Sequence, residues 1–550
     1  MKLIISGSSF LFPKNIAWNN LTKNYDLEFY DYGNWSGALI NCSEKFSLII
    51  ILFLEDIIDS FEQEIDTEKI FNTFFQLLKQ RLTKSTRPTL IMYASLQSSN
   101  PILEAQQLSK KREINSYFFN KLASFSKIYK SLYFVDLDQQ FLEIGYKNAL
   151  DRRNWYLAHC RLSIEGLFVV SDVITRIFKR VNKPPSKVLI LDCDNTIWGG
   201  VLAEDGMQNL LLGQDGVGKA FVDFQKAIKY LSKNGILLAI ASKNNEKDVL
   251  KVFREHEAMI IKEDDIVSWR VNWKEKYENL LSMSKELSLG LDSFVFWDDN
   301  PIERDKMQIA LPDVNTIDIP KNLFDWSDYL FKLDNFSKFN ITSDDLNKKK
   351  QYINRAKFII DKKETINENI YLKSINLKPN AQEVSESNIN RAVQLCSKTN
   401  QFNLRSIRHN HADLNMILKS NKEFCFLTSL KDKYGDHGYV GLICLTKIDS
   451  KFVFLDTFLL SCRILGRHLE AWMLKQALLR AFNHGYQYIA GEFLKTPKNN
   501  IVHNFLSTHG FTRLSDKENL SKKMKSFIVN KNLLIIATEK RNIPFSDIYD

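Results

Sequence analysis

Apolar residues recur along this chain in runs of strand length, and the polar stretches between them carry a helical period. In residues 1–180 the runs "KLIIS", "FSLIIILF", "TLIMYAS" and "SLYFVDL" alternate with amphipathic segments such as "TEKIFNTFFQLLKQRL". That alternation predicts a parallel α/β sheet. "NKPPSK" (Asn182–Lys187) then stops the preceding helix, because consecutive prolines remove backbone donors and fix φ. A second set of strands is expected at "VLILDCD", "ILLAIAS", "MIIKEDD" and "SFVFWDD", separated by helices, which gives a second doubly wound unit. Residues 336–371 are polar, with sparse apolar spacing, and read as a charged helical connector. Beyond them "EFCFLTSL", "YVGLICLTKI", "FVFLDTFLLS" and "YIAGEFL" follow in close succession, so the last block is expected to be α+β with an antiparallel sheet. The fold class is thus multidomain α/β, in four parts: 1–180, 186–335, the connector 336–371 and 372–550. There is no internal repeat.

Length and composition agree with this division. A chain of 550 residues exceeds what one core supports, and 44% hydrophobic with 25% charged residues is the composition of a globular protein. The most apolar run, "FSLIIILFL", has the length of a strand and predicts no membrane span. "MKLIISGSSF" lacks a hydrophobic stretch followed by a cleavage site, so cytoplasmic location is expected. The seven cysteines are scattered without a CxxC pair, a pattern of small buried residues that supports neither a zinc site nor a disulfide framework. A net charge of +10 suits anionic partners in general. No recognition helix or basic arm with interleaved aromatics appears, and nucleic acid is not an expected partner.

The chemistry gathers in the middle block. Asp192 and Asp194 stand one residue apart at the end of a hydrophobic strand, so both carboxylates can face one site while Cys193 points elsewhere. Carboxylates that close repel, and a site that keeps them charged needs a cation. The next strand ends in Ser242 and Lys243, "VNWKEKYENL" supplies Lys274 and Lys276 at a helix start, and a further strand ends in Asp298 and Asp299. Strand ends are where open α/β sheets bind ligands. An aspartate nucleophile, a hydroxyl and an ammonium to hold oxygens, and a hard cation on carboxylates are the parts of phosphoryl transfer. Mg²⁺ fits such an all-oxygen donor set. Asp299 can instead cap the helix at "NPIERD", and Lys243 reads as a surface residue. The gaps from Thr196 to Ser242 and from Ser242 to Lys276 are too short for an inserted cap domain, so the site is expected to be open.

The order DxDxT, Ser, Lys, DD resembles the haloacid dehalogenase (HAD) superfamily, and "LDCDNTIWGGVLAEDG", "NW..K" and "FVFWDDNPIERD" resemble its FkbH-like family. The resemblance implies Asp192 as nucleophile and Mg²⁺ ligand, and Asp194 as general acid/base that also lends its backbone carbonyl to the metal. Thr196, Ser242 and Lys276 would hold the phosphoryl group, and Asp298 with Asp299 would complete the metal site. Lys276 is favoured over Lys274 by the family spacing; Glu275 departs from the family's usual proline. The family takes 1,3-bisphosphoglycerate and loads its glyceryl group onto the phosphopantetheine arm of an acyl carrier protein. That makes Cys193 a candidate acyl relay, although strand alternation and neighbouring carboxylates favour a packing role.

In the last block "LCSKTNQFNLRSIRH", "SLKDKYGDHGYVGLI", "FLLSCRILGRHLEAWML" and "LKTPKNNIVHNFLSTHGF" resemble the C-terminal region of FkbH-like proteins, itself similar to GNAT acyltransferases. The resemblance implies carrier or phosphopantetheine binding by Asn400, Gln401, Asn403, Arg463, Gly466 and Arg467. His468 stands where the family's loop has a small residue, which tells against acetyl-CoA. Arg463 and Arg467 are alternatively a salt-bridged helix start, and Asp436 with His437 read as turn residues. In the first block "IISGSSF" and "DRRNWYLAHCRLS" carry a faint likeness to SGNH hydrolases, with Ser6, Ser8 and His159 as its members; a structural or carrier-docking domain is the stronger reading. The expected function is a Mg²⁺-dependent phosphatase/glyceryltransferase serving polyketide or surface-glycan synthesis. The alternatives are a plain HAD phosphatase and a GNAT-type acyltransferase.

Overall fold

The computed structural model describes residues 1–58, 67–97, 101–105, 110–339, 367–410, 423–513, 533–539 and 543–549, with isolated positions between 351 and 362 and between 413 and 416. Most of the expected connector 336–371 therefore lies outside the described residues. The chain divides into two compact units, Met1–Pro184 and Pro185–Asp550, and the division falls inside the double-proline segment.

The first unit is a five-stranded parallel sheet of β1 (Lys2–Gly7), β2 (Asp26–Phe29), β3 (Ser47–Phe53), β4 (Thr89–Ala94) and β5 (Leu132–Asp136), in the order β2-β1-β3-β4-β5. β3 and β4 are buried along their whole length, as expected for strands covered on both faces. Alternate residues feed two cores: Leu3 and Ile5 enter one, Ile4 the other.

The second unit begins with β6 (Val188–Leu191), β7 (Leu237–Ser242), β8 (Ile266–Val271), β9 (Phe294–Trp297) and β10 (Asn315–Thr316), a parallel sheet ordered β10-β9-β6-β7-β8. Here one expected strand is corrected. "MIIKEDD" forms an irregular bend and a short 3-10 helix, and the strand is the following "IVSWRV". The β-branched and aromatic residues lie in the latter, whereas Glu263, Asp264 and Asp265 favour a helical first turn.

A mixed sheet follows, built from β11 (Lys378–Glu383), β12 (Phe402–Asn403), β13 (Glu423–Asp432), β14 (Gly435–Lys447), β15 (Phe452–Leu460), β16 (Tyr488–Gly491), β17 (Thr512–Arg513) and β18 (Leu534–Ala537). It is antiparallel except where β15 and β16 pair in parallel over Phe452–Phe454. Short β12 lies against the end of β15, and Arg405 just after it bridges Asp456 and Glu492, with its Nε 3.1 Å from Glu492. All three are buried, so the guanidinium fastens β15 to the residue after β16 beyond the end of their parallel ladder.

Candidate functional site

Sheet order brings the polar strand ends together. β9, β6, β7 and β8 are neighbours, with Leu191 level with Trp297 and Ile240, and Ser242 level with Val271. Asp192 and Asp298 each follow the last residue of a strand, so register alone sets them side by side. Leu189, Leu191 and Cys193 share one core, and Val188 and Ile190 the opposite one. Cys193 thus continues the strand's alternation into packed interior and has no exposed surface. Burial, then the charge of Asp192, pushes its thiol far above the ordinary value.

Just past Asp194 the chain turns sharply. Asn195 adopts φ 52°, a left-handed conformation that asparagine tolerates, and its side chain accepts the Gly200 N–H. The turn sets Thr196 beneath the β9 end, where its hydroxyl lies 3.2 Å from Asp299 Oδ1 and accepts the Asp299 N–H.

Carboxylate oxygens of Asp192, Asp298 and Asp299 lie within 4.8 Å of one another. One ammonium faces them: Lys276 Nζ stands 2.6 Å from Asp298 Oδ2 and 3.1 Å from Asp192 Oδ1. Burial by itself would lower the Lys276 ammonium, but Asp192 and Asp298 outweigh it and hold the charge firmly. The carboxyls respond in the opposite sense. Burial, then the negative charge of Asp192, pushes both Asp298 and Asp299 up. Asp192 Oδ1 is sealed from solvent and accepts no well-aligned hydrogen bond. Three clustered carboxylates, two of them buried, against one ammonium fit a hard divalent cation bound through oxygen.

Asp194 belongs to the site but not to this triad. Its Oδ1 accepts Trp198 Nε1–H (2.9 Å) and the Leu202 N–H (3.1 Å), and its Oδ2 accepts Asn244 Nδ2–H (3.0 Å). Burial raises its carboxyl despite those donors. A carboxyl both raised and held in place is suited to giving and taking a proton. Ser242 is buried at the end of β7, and Lys276 rather than Lys274 reaches the carboxylates. Lys243 is half-buried and bridges Glu275 and Glu303, which fastens the start of the Lys276 helix. The helix cap that was the alternative role for Asp299 is made by Asn300, whose side chain accepts the Ile302 N–H.

Three supporting residues escaped the sequence reading. Asn244 holds Asp194, Trp198 does so from the other side, and Arg304 donates to the carbonyls of both Asp298 and Asp299 at 2.8 Å. Polar residues next to a motif were the only signal available, and that signal does not say which of them reaches back. No domain is inserted between Thr196 and Lys276, only short helices, the helices Gly216–Lys233 and Glu246–Glu255, and two strands.

The C-terminal residues are dispersed. Asn403 is buried and locks a turn, accepting the Ser406 N–H and donating to the Thr399 carbonyl. Asn400 and Gln401 are half-buried on the turn before β12. Gly466 has φ +88° and its carbonyl accepts Lys362 Nζ–H. Arg463 is nearly buried against Ser461 and Gln351. Arg467 is wholly buried, with Nε 2.7 Å from Asp432 and its guanidinium 3.8 Å over Phe358, the salt-bridged alternative of the sequence reading. His437 completes that pair 2.9 Å from Asp432, and Asp436 accepts the Gly438 N–H in its turn.

In the first unit Ser6, Ser8 and His159, the members of the faint SGNH likeness, are placed by contacts to other residues. Ser8 donates to Asp56 (2.8 Å), whose other oxygen takes Arg161. Ser6 is buried, and the His159 ring stacks on Tyr32 while its backbone carbonyl accepts the Ser9 hydroxyl.

No family model and no curated protein matches the sequence. Among solved structures, the chain is similar to the N-terminal part of the protein BF1531 from Bacteroides fragilis, which contains a phosphatase domain and was crystallised in complex with Mg. The identity is 25%, over 60% of this chain and 92% of that one, with a TM-score of 0.54. An acetyltransferase of the GNAT family from Staphylococcus aureus is 13% identical over 29% of this chain and 99% of its own, with a TM-score of 0.24. Rv2747 from Mycobacterium tuberculosis, solved with CoA, is 14% identical over 29% and 98%, with a TM-score of 0.23. Fold and site together define a multidomain α/β enzyme with an HAD-like centre whose three carboxylates could hold a divalent cation. Among the described residues no helix is long and apolar enough to cross a membrane.

Proposed function

We propose that the protein is an FkbH-like, Mg²⁺-dependent phosphatase and acyltransferase of the cytoplasm that converts 1,3-bisphosphoglycerate into a glyceryl thioester on an acyl carrier protein. The observation that carries the reading is the cluster of Asp192, Asp298 and Asp299 facing a single ammonium, with Asp194 across the strand end. In it Asp192 attacks the phosphorus of the substrate's phosphate ester and forms an aspartyl phosphate. Asp194, raised and aligned by Trp198 and Asn244, gives its proton to the leaving alkoxide and afterwards takes one from the attacking water. Thr196, Ser242 and Lys276 hold the phosphoryl oxygens. Asp192, Asp298, Asp299 and the Asp194 carbonyl would bind Mg²⁺, which offsets negative charge in the transition state. The acyl phosphate at the other end of the substrate loses inorganic phosphate when the carrier's thiol attacks the acyl carbon, and a thioester forms.

The absence of an inserted cap leaves the site open to a macromolecular partner, and the net positive charge suits an anionic carrier. The C-terminal domain would receive the phosphopantetheine arm around Asn400, Gln401 and the Arg463–Gly466 loop. The burial of Asn403 and Arg467 confines those two to positioning that loop. Cys193, sealed in the core, is assigned to packing.

The test is mass spectrometry of an acyl carrier protein incubated with the protein, Mg²⁺ and a system generating 1,3-bisphosphoglycerate. A glyceryl mass on the phosphopantetheine arm, lost in Asp192→Asn and retained in Cys193→Ser, is expected. Phosphate release with no acylated carrier would leave the plain phosphatase as the better reading.

A further inference from the structure

The C-terminal sheet contains two thiols that neither the carboxylate centre nor acyl transfer uses. Cys425 on β13 and Cys444 on β14 are paired directly across the antiparallel register. Both side chains enter one small core with Leu395, Leu427 and Leu442, and the two sulfurs stand 2.6 Å apart. Opposed residues of antiparallel strands have Cα separations of about 4.5–5.5 Å. A disulfide spans Cα separations of about 4.4–6.8 Å, so these strands need not move to accept one.

Access is set by position. Cys425 is the third residue of β13 and Cys444 the fourth from the end of β14, so the pair lies toward the open end of the hairpin. The ladder between β14 and β15 shifts register between Cys444 and Leu445, which loosens the backbone at that point. Contact with Cys425 and then burial hold the Cys444 thiol well above its ordinary value. Reaction therefore waits on opening of the strand ends.

We infer that Cys425 and Cys444 form a reversible cross-strand disulfide when the folded protein meets a small-molecule disulfide. The first thiolate attacks a sulfur of the reagent, releases one equivalent of thiol and leaves a mixed disulfide. The second displaces the other half, so the Cys425–Cys444 bond forms, both cysteines lose their protons, and two electrons pass to the reagent. The bond closes the open end of the β13–β14 hairpin, tying residues 19 apart in sequence. This inference does not depend on the phosphatase reading.

The experiment incubates the native full-length chain with oxidised glutathione, blocks remaining thiols with iodoacetamide under denaturing conditions, and maps the peptides by mass spectrometry. The expected result is a linked peptide pair joining Cys425 to Cys444, two hydrogens lighter than the reduced pair and cleaved by dithiothreitol. Cys42, Cys160 and Cys193 carry the alkyl label, and the oxidised chain melts at a higher temperature than the reduced one. Cys444→Ala abolishes the link and leaves Cys425 labelled; should that variant not fold, the native map decides alone. Alkylation of both Cys425 and Cys444 after oxidation, or a link from either to Cys396 in place of their own, would overturn the inference.

Discussion

Two parallel sheets in this chain each carry polar side chains at their carboxyl edge, and the groups that follow β1 and β3 are paired with one another while those that follow β6 and β9 are not. In the first unit Ser8, Asp56, Arg161 and Glu55 satisfy one another: the hydroxyl donates to Asp56, and Arg161 reaches both carboxylates. In the middle domain three clustered carboxylates, two of them buried, face one ammonium. Polar residues at the ends of strands are thus poor evidence of chemistry by themselves. A charge imbalance that the fold holds in place, and that only a ligand resolves, is stronger evidence, because burying like charges is expensive.

The largest expected effect comes from unbalancing the middle site further. Lys276→Met leaves Asp192 and Asp298 without their cation, and should abolish phosphate release while lowering stability by about 3–5 kcal/mol in metal-free buffer. Thermal unfolding checks this, and Mg²⁺ should restore part of the loss. A melting temperature equal to that of the parent chain would mean that the ammonium is not compensating buried charge.

Next comes the pH dependence of the metal-free protein. Asp298, Asp299 and Asp194 are raised above the ordinary 3.8, so between that value and their raised ones the folded chain binds more protons than the unfolded chain. Stability contributed by these groups therefore falls as pH rises through that window. Unfolding in EDTA should show a middle domain that gains stability from about pH 7 down to about pH 5. Saturating Mg²⁺ should flatten the slope, and an identical slope with and without the ion would contradict the carboxylate assignment.

A smaller effect sharpens the comparison within the site. Asn244→Ala removes the Nδ2–H donor to Asp194. It should lower kcat by about 10- to 100-fold with KM little changed, and shift the acidic limb of the pH–rate profile. Smallest of all is Ser8→Ala in the first unit. It should leave phosphate release unchanged and cost about 1 kcal/mol, through the lost donor to Asp56 and the lost acceptor for the Phe53 N–H. A loss of activity there would mean that the satisfied edge participates after all.

Legibility in the sequence followed the range of the interactions involved. The buried strands β3, β4, β6, β7 and β9 were readable from apolar runs because their burial is continuous. Edge strands β2 and β10 were not, since neither has a buried residue and so neither carries an apolar run. "MIIKEDD" misled because its apolar residues fill a core from an irregular bend rather than from a strand. At the site, Asp192, Ser242, Lys276 and Asp298 could be found because each sits at a strand or helix end. Asn244, Trp198 and Arg304 could not, since their targets are set by how the loops fold back.

The sequence by itself determined which groups are available and at which element ends they emerge: the DxD spacing, the serine, the lysine and the double aspartate. Those are local facts, fixed by strand alternation and by helix starts. Tertiary structure decided which of them meet. It set Asp192 beside Asp298 through the β6–β9 register, withdrew Arg467 into a buried pair with Asp432, and turned Asn403 into a turn lock. It also placed Cys425 against Cys444 across a hairpin. The physical reason is common to the three long-range pairs, Asp192 with Asp298, Arg467 with Asp432 and Cys425 with Cys444. Partners distant in sequence are chosen by sheet order and register, and these follow from burying two whole faces at once rather than from any short stretch of residues.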